Sequence, residues 1–141
     1  MKRLLIIEDD PDEASNLVRN MMKLLEVEAV HSPDLFSARG ILQSWRPDVA
    51  VIDLKLLDSN PPQTIEALPE LSKACPFIVL TGQVGLEADS LRKQAIKNGA
   101  RNFVQKDHVA AGGWQMLAGI IRDAFLWDLA NGRKKTQPLQ P

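Results

Sequence analysis

The sequence predicts an α/β protein, a doubly wound five-stranded parallel sheet with helices on both faces. Three observations predict it. Five short aliphatic runs recur along the chain, each too short to be a helix and rich in side chains that suit a buried strand. An amphipathic or helix-capped stretch follows each run, and strand–helix alternation of this kind builds a parallel sheet with right-handed crossovers. No apolar run approaches the roughly 18 residues that a membrane-spanning helix needs.

Leu4, Leu5, Ile6 and Ile7 make the first strand. Asp10, Pro11, Asp12 and Glu13 read as a helix entrance, with Asp10 as N-cap, Pro11 as first helical residue and Glu13 as acidic partner of a capping box. Ala14, Leu17, Val18, Met21, Leu24 and Leu25 then repeat at helical spacing. Residues 27–30 form a weaker strand suited to an edge. Ser32, Pro33 and Asp34 start a second helix by the same cap-then-proline logic, with Phe36, Ile41, Leu42 and Trp45 facing inward and Pro47 beyond its end. Val49, Val51 and Ile52 form the third strand, which stops at Asp53. Pro61 and Pro62 fit only a loop or a first turn, so the third helix is expected over residues 63–73. Phe77, Ile78, Val79 and Leu80 form the fourth strand, with Thr81 and Gly82 directly after it. A fourth helix spans residues 86–98 and ends at Gly99, a good left-handed terminator. Phe103 and Val104 form a short fifth strand, and the fifth helix covers residues 113–130, closed by Gly132.

With 141 residues, 45% hydrophobic and 25% charged, the composition is that of one ordinary globular domain. Residues 1–130 are expected to be that domain. Residues 131–141, with Arg133, Lys134 and Lys135, are expected to be a flexible tail, leaving no room for a separate output domain. A net charge of −1 lacks the basic excess of a general nucleic-acid binder. The single cysteine, Cys75, fits a reducing, cytoplasmic setting, and the first residues turn acidic too soon for a signal peptide. His31 and His108 have no partners at metal-ligand spacing and read as surface loop residues.

Ligands of open parallel sheets bind beyond the carboxyl ends of the strands. The polar residues that follow the aliphatic runs are Glu8 and Asp9, Asp53, Thr81 and Lys106, with 44, 28 and 25 residues between Asp9, Asp53, Thr81 and Lys106 in turn. Those spacings match whole strand–helix units, so the side chains converge on one rim. Three carboxylates brought together repel, and one takes up a proton unless a cation intervenes. Hard oxygen donors favour Mg²⁺ or a similar divalent ion. A metal, a carboxylate, a hydroxyl and an ammonium are what phosphoryl transfer requires. Asp53, on the presumed central strand, is the best nucleophile among them.

The ordered stretches Leu5-Ile6-Ile7-Glu8-Asp9-Asp10, Val51-Ile52-Asp53-Leu54, Val79-Leu80-Thr81-Gly82 and Phe103-Val104-Gln105-Lys106 resemble the receiver domains of two-component response regulators. The resemblance extends over about residues 3 to 128 and is to the single-domain, chemotaxis-regulator-like kind. It implies a flavodoxin-like strand order of 2-1-3-4-5. It also implies that Asp53 accepts a phosphoryl group from a phosphohistidine on a sensor histidine kinase or phosphotransfer protein. Asp9, Asp53 and the backbone carbonyl of Lys55 would ligate Mg²⁺, with Glu8 helping through water. Thr81 and Lys106 would hold the phosphoryl group, and Phe103 would turn inward as an aromatic switch. Output would then pass to a downstream protein through an altered surface of the fourth helix, fifth strand and fifth helix.

Three departures from the family pattern stand out, one being that Phe103 lacks a hydroxyl through which a switch contact could be made. Asp107 occupies the place of the proline that often follows the lysine. Residues 56–62 lack the usual proline and glycine of the loop after the phosphoacceptor. The end of the fifth helix carries more large apolar side chains than one face can bury. Phe125, Trp127 and Leu129 therefore either fold back onto the domain or form a partner or dimer surface, and a homodimer could also form through the fourth helix–fifth strand–fifth helix face. Two rival readings share the fold class. An aspartyl-phosphate phosphatase would need a second aspartate where Lys55 stands. A phosphorylation-independent adaptor would keep the site without using it.

Overall fold

The computed structural model describes residues 1–130, apart from the side chains of residues 128 and 129; Gly132 and the expected tail lie outside the described residues. The elements are β1 (Lys2–Ile7), α1 (Pro11–Leu24), β2 (Val27–Ser32), α2 (Leu35–Ser44), β3 (Val49–Ile52), α3 (Pro61–Leu71), β4 (Phe77–Thr81), α4 (Gly85–Lys97), β5 (Asn102–Gln105), α5 (Lys106–Ala110) and α6 (Trp114–Ala130). The five strands form one parallel sheet in the order β2-β1-β3-β4-β5, the flavodoxin-like arrangement expected. Among the described residues, no helix is long and apolar enough to cross a membrane.

Strand alternation divides the core into two layers. Leu5, Ile7, Ala50, Ile52, Phe77, Val79 and Phe103 face α2, α3 and α4. Leu4, Ile6, Val49, Val51, Ile78, Leu80 and Val104 face α1 and α6. Neighbouring residues of the three central strands are thus buried on opposite sides, which is why those runs are apolar throughout.

Several local expectations change. Asp34, not Ser32, caps α2: its carboxylate accepts from the Ser37 N–H at 2.7 Å. Ser32 ends β2, and its hydroxyl donates to the Asp34 carbonyl. Starting the helix at Leu35 puts Leu35, Ala38 and Leu42 on the buried stripe and turns Phe36 outward, 83% exposed. At α3, Asn60 and Gln63 form a reciprocal capping box, so the helix starts at Pro61. The sixth helix, α5, was not expected. With Asp107 rather than proline after Lys106, every backbone N–H is present and one helical turn follows β5 directly. The turn into α6 needs glycine twice. Gly112 has φ of 95°, and a Cβ on Gly113 would strike the His108 carbonyl. The fifth helix of the sequence is therefore α6.

Phe125 is corrected as an interface residue, because its side chain is buried in the α1–α6 layer. Trp127 is 44% exposed, with the Arg101 guanidinium 4.8 Å above its ring, and Leu126 is exposed beside it. The side chain of Leu129 lies outside the described residues.

Candidate functional site

The carboxyl ends of β1, β3, β4 and β5 carry the polar residues singled out above. Glu8 directly follows β1, Asp53 follows β3, Thr81 is the last residue of β4, and Lys106 opens α5 after β5. Sheet bonds carry the rim past the strands. The Glu8 N–H donates to the Ser32 carbonyl at 3.0 Å, and the Asp53 N–H donates to the Ile7 carbonyl at 2.9 Å. His31, which lies in β2 rather than in a loop, donates from Nε2 to the Glu8 carbonyl at 2.7 Å.

The centre of the site is the Lys106 ammonium. Its Nζ donates to Glu8 Oε1 at 2.7 Å, to Asp53 Oδ2 at 2.8 Å and to Glu13 Oε2 at 2.8 Å. Glu8 and Asp53 are buried, whereas Glu13 is half-exposed. The other Asp53 oxygen, Oδ1, accepts from the Lys55 N–H at 3.2 Å, so the carboxylate is oriented from both sides. The lysine stem passes Gly82, where a Cβ would lie 4.0 Å from Lys106 Cδ.

Charge in this cluster is unevenly held. Burial pushes the Glu8 carboxyl from its ordinary 4.5 up to about 8, against the pull of its hydrogen bond with Lys106. Of the three crowded carboxylates, Glu8 is thus one that keeps its proton near neutral pH. Partial burial also raises Glu13, but its hydrogen bonds with Lys106 and Glu8 outweigh that and leave it lowered. For Lys106, burial works against the charge. The hydrogen bonds to Asp53, Glu13 and Glu8 more than offset it, so the ammonium holds its proton more tightly than an ordinary lysine.

Oxygens of Glu8, Glu13 and Asp53 lie within 4.8 Å of one another. Mg²⁺ takes one or two protein carboxylates and keeps several waters, so the buried pair Glu8 and Asp53 fits such an ion without the half-exposed Glu13. Asp9 is half-buried at the next position and is not in that group. Thr81 is buried, and its hydroxyl accepts from the Gln83 N–H at 3.2 Å. Phe103 is already inward and buried, with the Arg92 guanidinium 5.0 Å from its ring centre.

The loop after Asp53 lacks the usual proline and glycine and is held by side chains instead. Leu56 and Ser59 close a tight turn through two backbone bonds. Thr64 Oγ1 donates to the Leu54 carbonyl at 2.7 Å and lies 2.6 Å from Ser59 Oγ. The Asp58 carboxylate accepts from the N–H groups of Leu35 and Phe36, both at 3.0 Å, which ties this loop to the start of α2.

Glu13 is the site residue that reading the sequence missed. The expected capping box would aim its carboxylate at the Asp10 N–H. Instead, that N–H donates to Glu8 Oε2 at 3.3 Å, while Asp10 caps Asp12 and Glu13. The available signal was weak: Glu13 sits one helical turn beyond the acidic run, at the end of α1 nearest the rim.

Comparison with known proteins bears on the family and the fold. The family model of the response regulator receiver domain matches residues 4–112. The photosynthetic apparatus regulatory protein RegA of Rhodobacter capsulatus is 33% identical over 106 residues, covering 74% of this chain and 55% of that protein. A protein-glutamate methylesterase/protein-glutamine glutaminase of Caulobacter vibrioides is 25% identical, covering 84% of this chain and 34% of that protein. The chain thus spans about half the length of its RegA relatives. Among solved structures, the response regulator domain of Thermotoga maritima CheB superposes with a TM-score of 0.76 at 22% identity, covering 89% of this chain and 96% of that one. A CheY-like receiver domain protein from Methanospirillum hungatei gives 0.73 at 20% identity, over 94% and 99%. At those identities the structures speak for the fold, and the family match carries the assignment: the chain belongs to the response regulator receiver domains of two-component signalling.

Proposed function

We propose that Asp53 is the phosphoacceptor of this receiver and that the domain signals through a protein-binding surface altered by phosphorylation. The observation that carries the reading is the Lys106 ammonium, 2.8 Å from Asp53 Oδ2 at the rim where the strand order reverses. Asp53 Oδ2 would attack the phosphorus of a phosphohistidine on a sensor kinase or phosphotransfer protein. The P–N bond breaks and the imidazole leaves with its electron pair. Mg²⁺ would be held by Asp53 and Glu8, which meet at the rim, with Asp9 and the Lys55 carbonyl as the further ligands that the family resemblance implies, and would supply positive charge against the phosphoryl oxygens.

The chain's own groups divide the remaining work. The Lys55 N–H holds Asp53 Oδ1 while Lys106 holds Oδ2, so the carboxylate is fixed at both oxygens. Lys106 neutralises the incoming charge, which amounts to about 1.5 to 2 units on the finished phosphoaspartate. Thr81 accepts from the Gln83 N–H, and this leaves its own O–H to donate to a phosphoryl oxygen. Phe103 is packed inward in this structure. Phosphorylation would then stabilise an arrangement already populated and spread it to the face of α4, β5 and α6. Loss of the phosphoryl group to water returns the site to its starting state, and no further enzymatic role is proposed.

The partners are a histidine kinase or phosphotransfer protein, a downstream protein, and a second copy of the chain if Leu126 and Trp127 pair. Cys75, the single cysteine of the sequence and buried, fits a cytoplasmic setting. Labelling by an acyl phosphate with Mg²⁺, followed by intact mass, tests the reading. Wild type gains one phosphoryl group and Asp53→Asn gains none. Absence of both labelling and Mg²⁺ binding in wild type would instead select the phosphorylation-independent adaptor. The phosphatase alternative is disfavoured because Lys55, exposed and cationic, stands where that chemistry needs an acid.

A further inference from the structure

We propose that Glu13 is a latch on Lys106, holding the ammonium in the unphosphorylated domain and swinging into water when a phosphoryl group arrives. The inference rests on the phosphoacceptor reading above and deepens it, because it names the residue that sets how readily Asp53 is modified.

A lysine ammonium has three N–H groups. In this structure they go to Glu8 Oε1, Glu13 Oε2 and Asp53 Oδ2, at 2.7, 2.8 and 2.8 Å. None is left for a phosphoryl oxygen, so one carboxylate must let go before Lys106 can neutralise the incoming group. Glu8, with its side chain 2% exposed, has no water to turn to. Asp53, 10% exposed, supplies the attacking oxygen, which its bond to Lys106 holds in place. Glu13 is 49% exposed and exchanges the ammonium for water at small cost.

Electrostatics drives the release in the same direction. The three carboxylates lie within 4.8 Å of one another, so a phosphoryl group on Asp53 places its charge against Glu13. The backbone does not have to move. Asp10 caps the N–H groups of Asp12 and Glu13, which pins the first turn of α1 and leaves the displacement to the Glu13 side chain. A cavity of about 200 Å³ lined by Glu8, Glu13, Lys106, Val109 and Trp114 gives both side chains room to rearrange.

The test uses the full chain, an acyl phosphate and saturating Mg²⁺, and compares labelling rates of wild type, Glu13→Ala and Glu13→Asp. Glu13→Asp keeps the charge but is one methylene shorter. Both variants are expected to label about two- to fivefold faster at low salt, the range set by a half-exposed ion pair. Added salt should shrink the wild-type deficit, since it screens that pair. Mg²⁺ affinity, measured separately by calorimetry, should stay within about twofold for all three. Equal rates overturn the latch and leave the phosphoacceptor reading intact. A Glu13→Asp variant that matches wild type while Glu13→Ala is faster overturns it in favour of a general charge effect. Slower labelling with weaker Mg²⁺ binding also overturns it and makes Glu13 a metal ligand. Wild type that takes no label removes the latch together with the reading beneath it.

Discussion

The acidic side of the rim and its hydroxyl side are organised by different forces. On the acidic side, Glu8 follows β1, Glu13 lies in the first turn of α1 and Asp53 follows β3, and the three meet on one lysine at distances of 2.7 to 2.8 Å. On the hydroxyl side, Thr81 is engaged two residues away, with the Gln83 N–H, and Phe103 is simply packed in the core. The acids are drawn together by charge, a long-range force that acts before any ligand arrives. A hydroxyl responds only to a partner within hydrogen-bond reach. The acidic side is therefore preassembled and crowded, and the hydroxyl side is satisfied locally and available.

The largest expected effect breaks the acidic side directly. Lys106→Met removes the one cation shared by two buried carboxylates. Without Mg²⁺ it should cost about 1–3 kcal/mol in urea denaturation near pH 8, less than a fully buried pair because Glu8 can keep its proton. An unchanged midpoint would mean that Lys106 does not organise the cluster.

The next effect is a pH dependence. Glu8 binds its proton more tightly folded, near 8, than unfolded, near 4.5. Between those values the folded state holds the extra proton, so this contribution to stability is full below about 4.5 and is lost as pH rises through about 8. Metal-free wild type should accordingly show a falling Tm from pH 6 to 9, and Glu8→Gln should flatten that slope. A parallel slope in the variant would assign the dependence elsewhere.

A smaller loss is expected from Asp58→Ala, which removes two hydrogen bonds to the start of α2. Because Asp34 still caps Ser37, the cost should be about 1 kcal/mol, read by urea denaturation. The smallest effect falls on the hydroxyl side. Thr81→Val keeps the shape of the side chain and removes only the bond to Gln83, so metal-free stability should drop by less than about 1 kcal/mol. The lifetime of the acyl-phosphate-labelled state should nevertheless shorten. A large stability loss from Thr81→Val would show that the two sides are coupled before phosphorylation.

What could be read in advance follows the reach of each signal. Asp53, Thr81 and Lys106 were legible because an aliphatic run ends abruptly at a polar residue, and parallel strands point all such ends to one rim. Phe36 and Ser32 were misread because two cap residues two positions apart give helices whose buried stripes differ. Only Asp58, arriving from another loop to hold the Leu35 and Phe36 N–H groups, completes the start at Leu35. Phe125 looked surplus on a helix taken alone, yet α1 provides the second wall that buries it.

The sequence by itself determined the five strand–helix units, the burial of the central sheet on both faces and the rim that carries the acids, hydroxyl and lysine. Those depend on periodicity and on where runs stop, which are local properties of the chain. Tertiary structure alone decided that Glu13 turns from its own helix cap to Lys106, and that Glu8 rather than Asp9 joins Asp53. A carboxylate in the first turn of a helix has two satisfactory partners. The choice between them rests on a cation 93 residues away in sequence.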